Sequence, residues 1–356
     1  MSKNSEESIR CSFCGREKKE VNVLIAGITG HICDSCISQA HLIVKEEGGI
    51  KSKNEIENTL KLLTPKEIVE NFLPAAEFCN FEPLSGGVSS DVFLIEVRLD
   101  NRLEKMVLKI EGGPAGENDI KKQFNLLQAL NTSNLKSPKP LHVDTSCRIL
   151  EKPFMLISYI DGCIELTKYS ESFSPPYIDK MVEQLWEIHQ IEISILPDLP
   201  IREDPLDNIM TYLPKGREWQ EINQSMITWT SDLYKDRKVL LHGDFWSGNI
   251  LWKNLSINGI LDWEYAGIGD PLSDLAATCL DLKYTHGKEV SDLFKSTYAH
   301  YEIIDEYRLS LWLIKVASST LHFLNTWKFS QERRNAIRNE CSFTIKEEFN
   351  KINSQK

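Results

Sequence analysis

The chain has 356 residues, a formal net charge of −11 and a pI near 5.4. That length supports two or three domains with a large core, and the acidic balance argues against nucleic acid or an anionic membrane as the main partner. No apolar run approaches the roughly 20 residues that span a bilayer, and Met1 to Arg10 holds no signal-peptide core, so a cytoplasmic protein is expected.

Nine cysteines in such a chain serve ends other than disulfides. Four are paired: Cys11-Ser12-Phe13-Cys14 and Cys33-Asp34-Ser35-Cys36 form C-x₂-C-x₁₈-C-x₂-C. Two such knuckles can close a tetrahedral site on one Zn²⁺, with Gly15 allowing the tight turn after the first pair. A stretch this short buries too little apolar surface to fold alone, so the metal would supply the folding energy. The plainer alternative is four ordinary buried cysteines. The run C-S-F-C-G-R, then L-I-A-G, then H-I-C-D-S-C-I resembles the N-terminal zinc-binding domain of the ClpX unfoldase. That resemblance implies a homodimer, or docking to a protein partner, rather than catalysis. With all four positions filled by Cys11, Cys14, Cys33 and Cys36, the zinc would be structural. No G-x-x-x-x-G-K-[ST] is present, so the unfoldase's ATPase motor is missing.

Gln39 to Ile43 reads as a short helix behind the second knuckle. Residues 45–64 read as a linker, with Gly48-Gly49 and many charges. A second domain is expected from Thr64-Pro65, a helix start with Pro at its first position.

Phe81 to Leu94 carries Ser85-Gly86-Gly87-Val88-Ser89-Ser90 between two strand-like segments. Glycines let a backbone approach a phosphate and small hydroxyls add donors, although a plain hairpin turn reads the same way. Met106 to Ile110 is an apolar strand with Lys109 in its midst. A buried lysine needs an anion, which nucleotide phosphates would provide; the alternative is an edge-strand lysine reaching solvent. Ile120 to Leu130 has helical periodicity, with Ile120, Phe124, Leu127 and Leu130 on one face. Pro153 to Gly162 is an apolar strand running into Asp161-Gly162. Ile178 to His189 again has helical period, and His189 reads as a packed or capping residue.

The most informative stretch is Leu240 to Trp252, L-L-H-G-D-F-W-S-G-N-I-L-W. The runs Val239–Leu241 and Ile250–Trp252 flank a loop holding His242, Asp244 and Asn249, and a third run, Asn258–Leu261, ends in Asp262. A hairpin-like unit would present the three polar groups together. An Asp, an Asn five residues later and a second Asp after a short strand is the spacing of a kinase catalytic loop and its metal-binding Asp. Asp244 can accept the proton of an acceptor hydroxyl, while Asn249 and Asp262 offer hard oxygen ligands suited to Mg²⁺. A polar hairpin with Asp and Asn as turn formers is the bland alternative. His242 reads as a brace for the loop. Asp270 and Asp274 read as N-capping and loop-bracing groups.

His242-Gly243-Asp244-Phe245-Trp246-Ser247-Gly248-Asn249, Ile260-Leu261-Asp262-Trp263-Glu264 and Asp270-Pro271-Leu272-Ser273-Asp274-Leu275-Ala276 resemble the signature of aminoglycoside phosphotransferase-type small-molecule kinases. The resemblance covers about residues 65 to 330. It implies an α+β, bilobal, protein-kinase-like fold: a zinc module at 1–44, a linker at 45–64, a β-rich lobe at 65–162 and a helical lobe at 163–356. It implies that Ser85, Gly86, Gly87, Ser89 and Ser90 form a phosphate loop, and that Ser158 and Ile160 offer backbone groups to adenine at the hinge. ATP and GTP are both open. The family pattern also pairs the lysine with a glutamate on the next helix, where this chain has Gln123.

Leu309, Trp312, Leu313, Val316, Thr320, Phe323 and Trp327 repeat at helical spacing and read as core. The segment beyond Gln331 is helical in composition. The expectation is an enzyme that moves the γ-phosphate of ATP to a hydroxyl of a small molecule, antibiotic-like or amino-alcohol-like. No acidic cluster in the C-terminal third points to a polycationic ligand. The alternative is a weak or inactive kinase-fold adaptor whose zinc module docks a partner such as a Clp-type protease machine.

Overall fold

A computed structural model describes residues 10–26, 31–34, 36–37, 65–84, 90–112, 119–150, 152–163, 175–229, 238–327 and 329–354. The helix expected over Gln39 to Ile43, the linker, and Ser85, Gly86, Gly87 and Ser89 of the phosphate loop lie outside these residues. The chain divides into two compact units, Met1–Leu62 and Leu63–Lys356.

In the first unit β1 (Leu24–Ala26) pairs antiparallel with β2 (His31–Cys33), Leu24 opposite Cys33. Gly15 turns the chain after Cys14 with φ +77°, and its N–H donates to Cys11 O at 2.8 Å. The left-handed conformation is open to glycine at little cost. Cys11 and Cys33 are buried, and with Cys36 they are the core of this unit, joined by half-buried Val21, Leu24 and Ile32. So small a core agrees with a module that depends on metal.

The second unit opens with α1 (Pro65–Phe72), then β3 (Glu77–Pro83), β4 (Ser90–Leu99), β5 (Arg102–Glu111), α2 (Ile120–Leu130), β6 (Pro140–Asp144) and β7 (Phe154–Ser158). The strands form one antiparallel sheet in the order β3-β4-β5-β7-β6. Asp100 and Asn101, both at positive φ, make the two-residue turn that sets Leu99 opposite Arg102. Both faces of the sheet are covered. Met106, Leu108, Phe154 and Leu156 pack with Ile68 and Val69 of α1. Val107, Met155 and Ile157 pack on the other side with Phe124 and Leu127 of α2. Strand side chains alternate, so Lys109 points the same way as Val107, toward α2. Covering on both faces is also why Phe154–Ser158 is an unbroken apolar run.

The remainder is mainly helical. In chain order come α3 (Pro175–His189), β8 (Ile201–Arg202), α4 (Ile209–Tyr212), α5 (Gln220–Thr228), β9 (Val239–Leu241), β10 (Ile250–Lys253), β11 (Ser256–Ile260), β12 (Gly267–Gly269), α6 (Leu272–His286), α7 (Lys288–Tyr298), α8 (Glu306–Phe323) and α9 (Gln331–Ser354). The predicted face of α3 is buried: Ile178, Met181, Val182 and Leu185 are all 0% exposed. Leu311, Ile314 and Ala317 of α8 pack with Ile337, Cys341, Ile345 and Phe349 of α9.

Two expectations are corrected. The loop after β9 does not close a hairpin with β10: β9 pairs with β12, Leu241 opposite Gly267, while β10 pairs with β11. Three short apolar runs offer several pairings, and the long-range partner was not visible locally. The helical period through Trp327 also overran, because α8 ends at Phe323, which is 42% exposed. No helix among the described residues is long and apolar enough to cross a membrane.

Candidate active site

The catalytic loop leaves β9 at Leu241 and turns at Gly243, with φ +79°. A Cβ there would sit 2.0 Å from Tyr265 O, so only glycine lets the two backbone segments approach. His242 is fully buried. Its Nε2–H donates to Leu261 O at 2.9 Å and its Nδ1 accepts the Asp244 N–H at 3.3 Å. These partners select the neutral tautomer, and burial holds the imidazole below its ordinary pKa. His242 thus ties the loop to the strand end that carries Asp262.

Asp274, near the start of α6, holds the loop from beneath. Its Oδ2 accepts the His242 N–H at 2.8 Å and its Oδ1 accepts the Gly243 N–H at 2.9 Å. His189 Nε2 lies 3.3 Å from Oδ2, and His189 Nδ1 meets the Tyr298 hydroxyl at 2.9 Å. Burial opposes the charge on Asp274, but the His189 bond, the two histidines and the Gly243 N–H together hold its carboxyl below the usual range. One turn on, the Thr278 hydroxyl donates to Phe245 O at 2.7 Å. Asp270 caps Leu272 N–H and accepts Trp312 Nε1–H at 2.6 Å, which assigns Trp312 to the scaffold.

On this platform the predicted polar groups meet. Asn249 Nδ2 donates to both the backbone O and Oδ2 of Asp244, each at 2.9 Å. With the amide nitrogen so engaged, the side-chain oxygen is what Asn249 can offer a cation. Burial first, and then the charge of Asp262, push the Asp244 carboxyl up to about 7. Asp262 is a non-glycine residue with φ +60°, the kind of conformation that persists where surrounding structure over-determines it. Its Oδ1 is 2.7 Å from Lys109 Nζ.

Lys109 is buried rather than reaching solvent. Gln123 Oε1 accepts from it at 3.1 Å, and Glu264 Oε2 lies 3.6 Å away. Gln123 therefore occupies the expected glutamate position but brings no charge, and its Nε2 has no partner among the described residues. The countercharge comes from Asp262 and Glu264. Glu264 stands in the quoted motif, yet no local signal gave it this role.

Ser90 opens β4, buried, with its hydroxyl lacking a hydrogen-bond partner among the described residues. Ser158 sits at the end of β7. Its N–H donates to Lys139 O at 2.8 Å and its hydroxyl accepts the Lys139 N–H at 2.8 Å, so that backbone donor is already engaged. Ile160 follows, beside Gly259, and Asp161 anchors Lys253 at 2.7 Å.

The side chains expected to hold a metal suit a hard divalent cation: Asp262 and Asn249 offer oxygens, and neither brings sulfur or imidazole. In the first unit the sulfurs of Cys11, Cys14, Cys33 and Cys36 lie within 4.8 Å of one another, a four-thiol set suited to Zn²⁺. Backbone hydrogen bonds to its sulfur outweigh burial at Cys11 and lower that thiol to about 6, while burial and the neighbouring thiols raise Cys36 to about 12.

Comparison with known proteins agrees with both halves. The profile of the phosphotransferase enzyme family matches residues 80–312, and that of the ClpX C4-type zinc finger matches residues 9–46. The ATP-binding subunit ClpX of Bacteroides fragilis is 32% identical over 158 residues, 44% of this chain and 34% of that protein. Viomycin phosphotransferase of Streptomyces vinaceus is 24% identical over 180 residues, 43% of this chain and 59% of that one. The chain thus spans between a third and three fifths of the length of these two relatives. Among solved structures, a thermostable mutant of an aminoglycoside phosphotransferase, in ternary complex with AMP-PNP and hygromycin B, superposes with TM-score 0.57. It is 14% identical, covering 80% of this chain and 98% of its own. The fold is protein-kinase-like, sheet-rich before helical, preceded by a cysteine cluster suited to zinc.

Proposed function

The chain belongs to the phosphotransferase enzyme family, and from that premise we propose that it moves the γ-phosphate of ATP to a hydroxyl of a small molecule. The observation that carries the reading is two close pairs, Asn249 with Asp244 at 2.9 Å on the braced loop and Asp262 with Lys109 of β5 at 2.7 Å, with the charge of Asp262 acting on Asp244. The acceptor oxygen bonds to the γ-phosphorus as the bond to the bridging oxygen of ADP breaks, and the acceptor proton passes to Asp244. A raised carboxyl pKa makes Asp244 a better proton acceptor than an exposed aspartate. Asn249 and Asp262 would hold Mg²⁺, which when bound neutralises charge on the transferring phosphoryl group. Lys109 would exchange part of its contact with Asp262 for the phosphates. Ser90, with residues 85–89 before it, would line the phosphates. The backbone of Ile160 and of Ser158, whose N–H Lys139 already holds, would meet the adenine.

The acceptor is antibiotic-like, as the names of the viomycin and aminoglycoside enzymes suggest, or an amino alcohol. The zinc module would carry one structural Zn²⁺ on Cys11, Cys14, Cys33 and Cys36 and serve as a dimerisation or docking piece. The neutral Gln123 favours a second reading, a kinase-fold adaptor of low turnover. ATP consumption against a library of hydroxyl compounds separates the two.

The direct test is Asp244→Asn. Transfer should fall about 10²–10⁴-fold, with Mg-ATP affinity within a few-fold of the wild type. Loss of nucleotide binding in step with turnover would remove Asp244 from the proton-accepting role.

A further inference from the structure

β8 (Ile201–Arg202) runs parallel to β12, with Arg202 opposite Gly269. β12 reads Gly267-Ile268-Gly269, and both glycines leave room for Arg202. A Cβ at Gly269 would stand 1.9 Å from Arg202 O. A Cβ at Gly267 would stand 3.4 Å from Arg202 Nε and 3.5 Å from its Cδ. The side chain therefore runs back along β12, from Gly269 to Gly267, toward the end that follows Tyr265. Gly267 pairs with Leu241, the last residue before the catalytic loop, and Tyr265 O abuts Gly243 within that loop. The strand pairing thus carries the guanidinium to the base of the loop that presents Asp244.

The Arg202 guanidinium has no hydrogen bond or ion pair among the described residues, and none of its nitrogens is sealed from solvent. The carboxylates around it are engaged elsewhere. Glu203 pairs with Lys238, and Asp204 accepts the Leu206 N–H at 2.8 Å. Asp274 is held by His189 and two backbone N–H groups, and Asp244 by Asn249. Burial holds Arg202 below its ordinary range, against the favourable charges of Asp274, Tyr265 and Asp244. A guanidinium stays protonated in proteins, so burial leaves a fixed positive charge rather than a neutral group. An unpaired charge partly withdrawn from water is costly, and such groups cluster where a ligand completes them.

The other charges about Asp244 are negative: Asp262, Asp281 of α6 and Glu264 all raise its carboxyl. Asp262 and Glu264 face Lys109 at 2.7 and 3.6 Å, whereas Arg202 approaches the loop from β8 and β12. Tyr265 leaves the chain beside Gly243, its Cβ 2.9 Å from where a Gly243 Cβ would stand, and is 46% exposed. Burial, then the charges of Glu264, Asp244 and Asp262, push its hydroxyl up to about 12, so it adds no negative charge at neutral pH.

We propose that Arg202 binds a carboxylate of the acceptor, which makes that acceptor a hydroxy acid with its hydroxyl at Asp244 and its carboxylate on the guanidinium. The planar fork of arginine takes a carboxylate through two parallel bonds and so fixes orientation as well as charge. The carboxylate takes no part in the bond changes: the hydroxyl oxygen bonds to the γ-phosphorus, ADP leaves, and the proton passes to Asp244. The assignment rests on the phosphotransfer reading above and adds to its acceptor an anionic group that the reading does not itself require.

The experiment uses the full chain with zinc, ATP and Mg²⁺. 3-Hydroxypropanoate, 4-hydroxybutanoate and 5-hydroxypentanoate are each compared with the matching primary amide, which keeps the shape and loses the charge. At the best chain length the wild type should prefer the acid in kcat/KM by about 100-fold, as a charge-assisted bidentate contact would give. Arg202→Gln should raise the KM of the acid about 30-fold or more, leave that of the amide within about twofold, and erase the preference. Arg202→Lys, which keeps the charge without the fork, should retain part of it. Binding of the acids in the presence of Mg-ADP, followed by ligand-observed NMR, should weaken in parallel with no turnover required. A wild type that treats acid and amide alike at every length overturns the proposal with no variant needed. So does a folded Arg202→Gln that binds the acids as the wild type does. A loss of Mg-ADP affinity in Arg202→Gln as large as the loss for the acids would place the guanidinium on the nucleotide phosphates, and also overturns it. Arg202-dependent binding of the acids without ATP turnover on any alcohol overturns the phosphotransfer reading and leaves the carboxylate site standing.

Discussion

Replacing Asp274 by asparagine removes one charge and reverses one hydrogen-bonding group at a site that is 1% exposed. The carboxylate accepts from two backbone N–H groups at 2.8 and 2.9 Å and faces His189 Nε2 at 3.3 Å. An amide keeps one acceptor oxygen and turns an NH₂ toward a donor that cannot accept it. Each bond to a charged acceptor contributes about 1.5–3 kcal/mol, and breaking a buried charged arrangement from one side costs about 3–5 kcal/mol. The whole margin of a domain is about 5–15 kcal/mol. At about 2 °C per kcal/mol for a unit of this size, the melting temperature should fall by about 6–10 °C. Because the freed N–H groups belong to His242 and Gly243, which position Asp244, turnover should drop about 100-fold even well below the melting point. Calorimetry and ATP turnover on the same preparation measure both, with Asp179→Asn on the exposed side of α3 as the control. A melting temperature within about 1 °C of the wild type, with turnover within about twofold, would refute the view that Asp274 sustains the loop.

Gly243→Ala should be as damaging by a different route, since its Cβ would meet Tyr265 O at 2.0 Å in a left-handed backbone; a stable, active variant would contradict the close approach. Asp281 supplies a pH prediction. Its folded pKa of about 6 exceeds the unfolded value of about 3.9, so the folded state binds the proton more tightly. Wild type should therefore gain stability relative to Asp281→Asn as pH falls through about 6, by an amount on the order of 2–3 kcal/mol that saturates below about 4. Chemical denaturation of both proteins between those limits reads it, and parallel curves would show the carboxyl to be unstrained. Metal analysis should find one zinc per chain, lost in Cys33→Ser, where a buried thiolate ligand is missing; wild-type protein without zinc would reject the module.

Much of the site was legible because its signals are local. The paired cysteines, the Asp244–Asn249–Asp262 spacing and the lysine set among apolar neighbours each lie within one continuous stretch of chain, and the buried faces of α2 and α3 follow from helical period alone. Gln123 was also readable as a departure, since it sits at a fixed place on a periodic helix. Glu264 and Asp281 were not. A carboxylate in a sequence carries no mark of whether a lysine will neutralise it. Likewise, β9 is an apolar triplet that several strands could pair with, and nothing local shows that Lys139 holds the Ser158 N–H.

From the sequence by itself came the identity of the elements and the chemistry they can offer, since both rest on residue type and short-range period. The tertiary structure decided which charges meet. Lys109 and Asp262 are 153 positions apart and lie 2.7 Å from each other. Only the packing of β5 against α2 and the catalytic loop neutralises that pair, and only the packing of α6 in the helical lobe buries Asp281. Electrostatic partnership depends on distance through the folded core rather than along the chain, and burial, which sets its strength, is a property of all the surrounding elements at once.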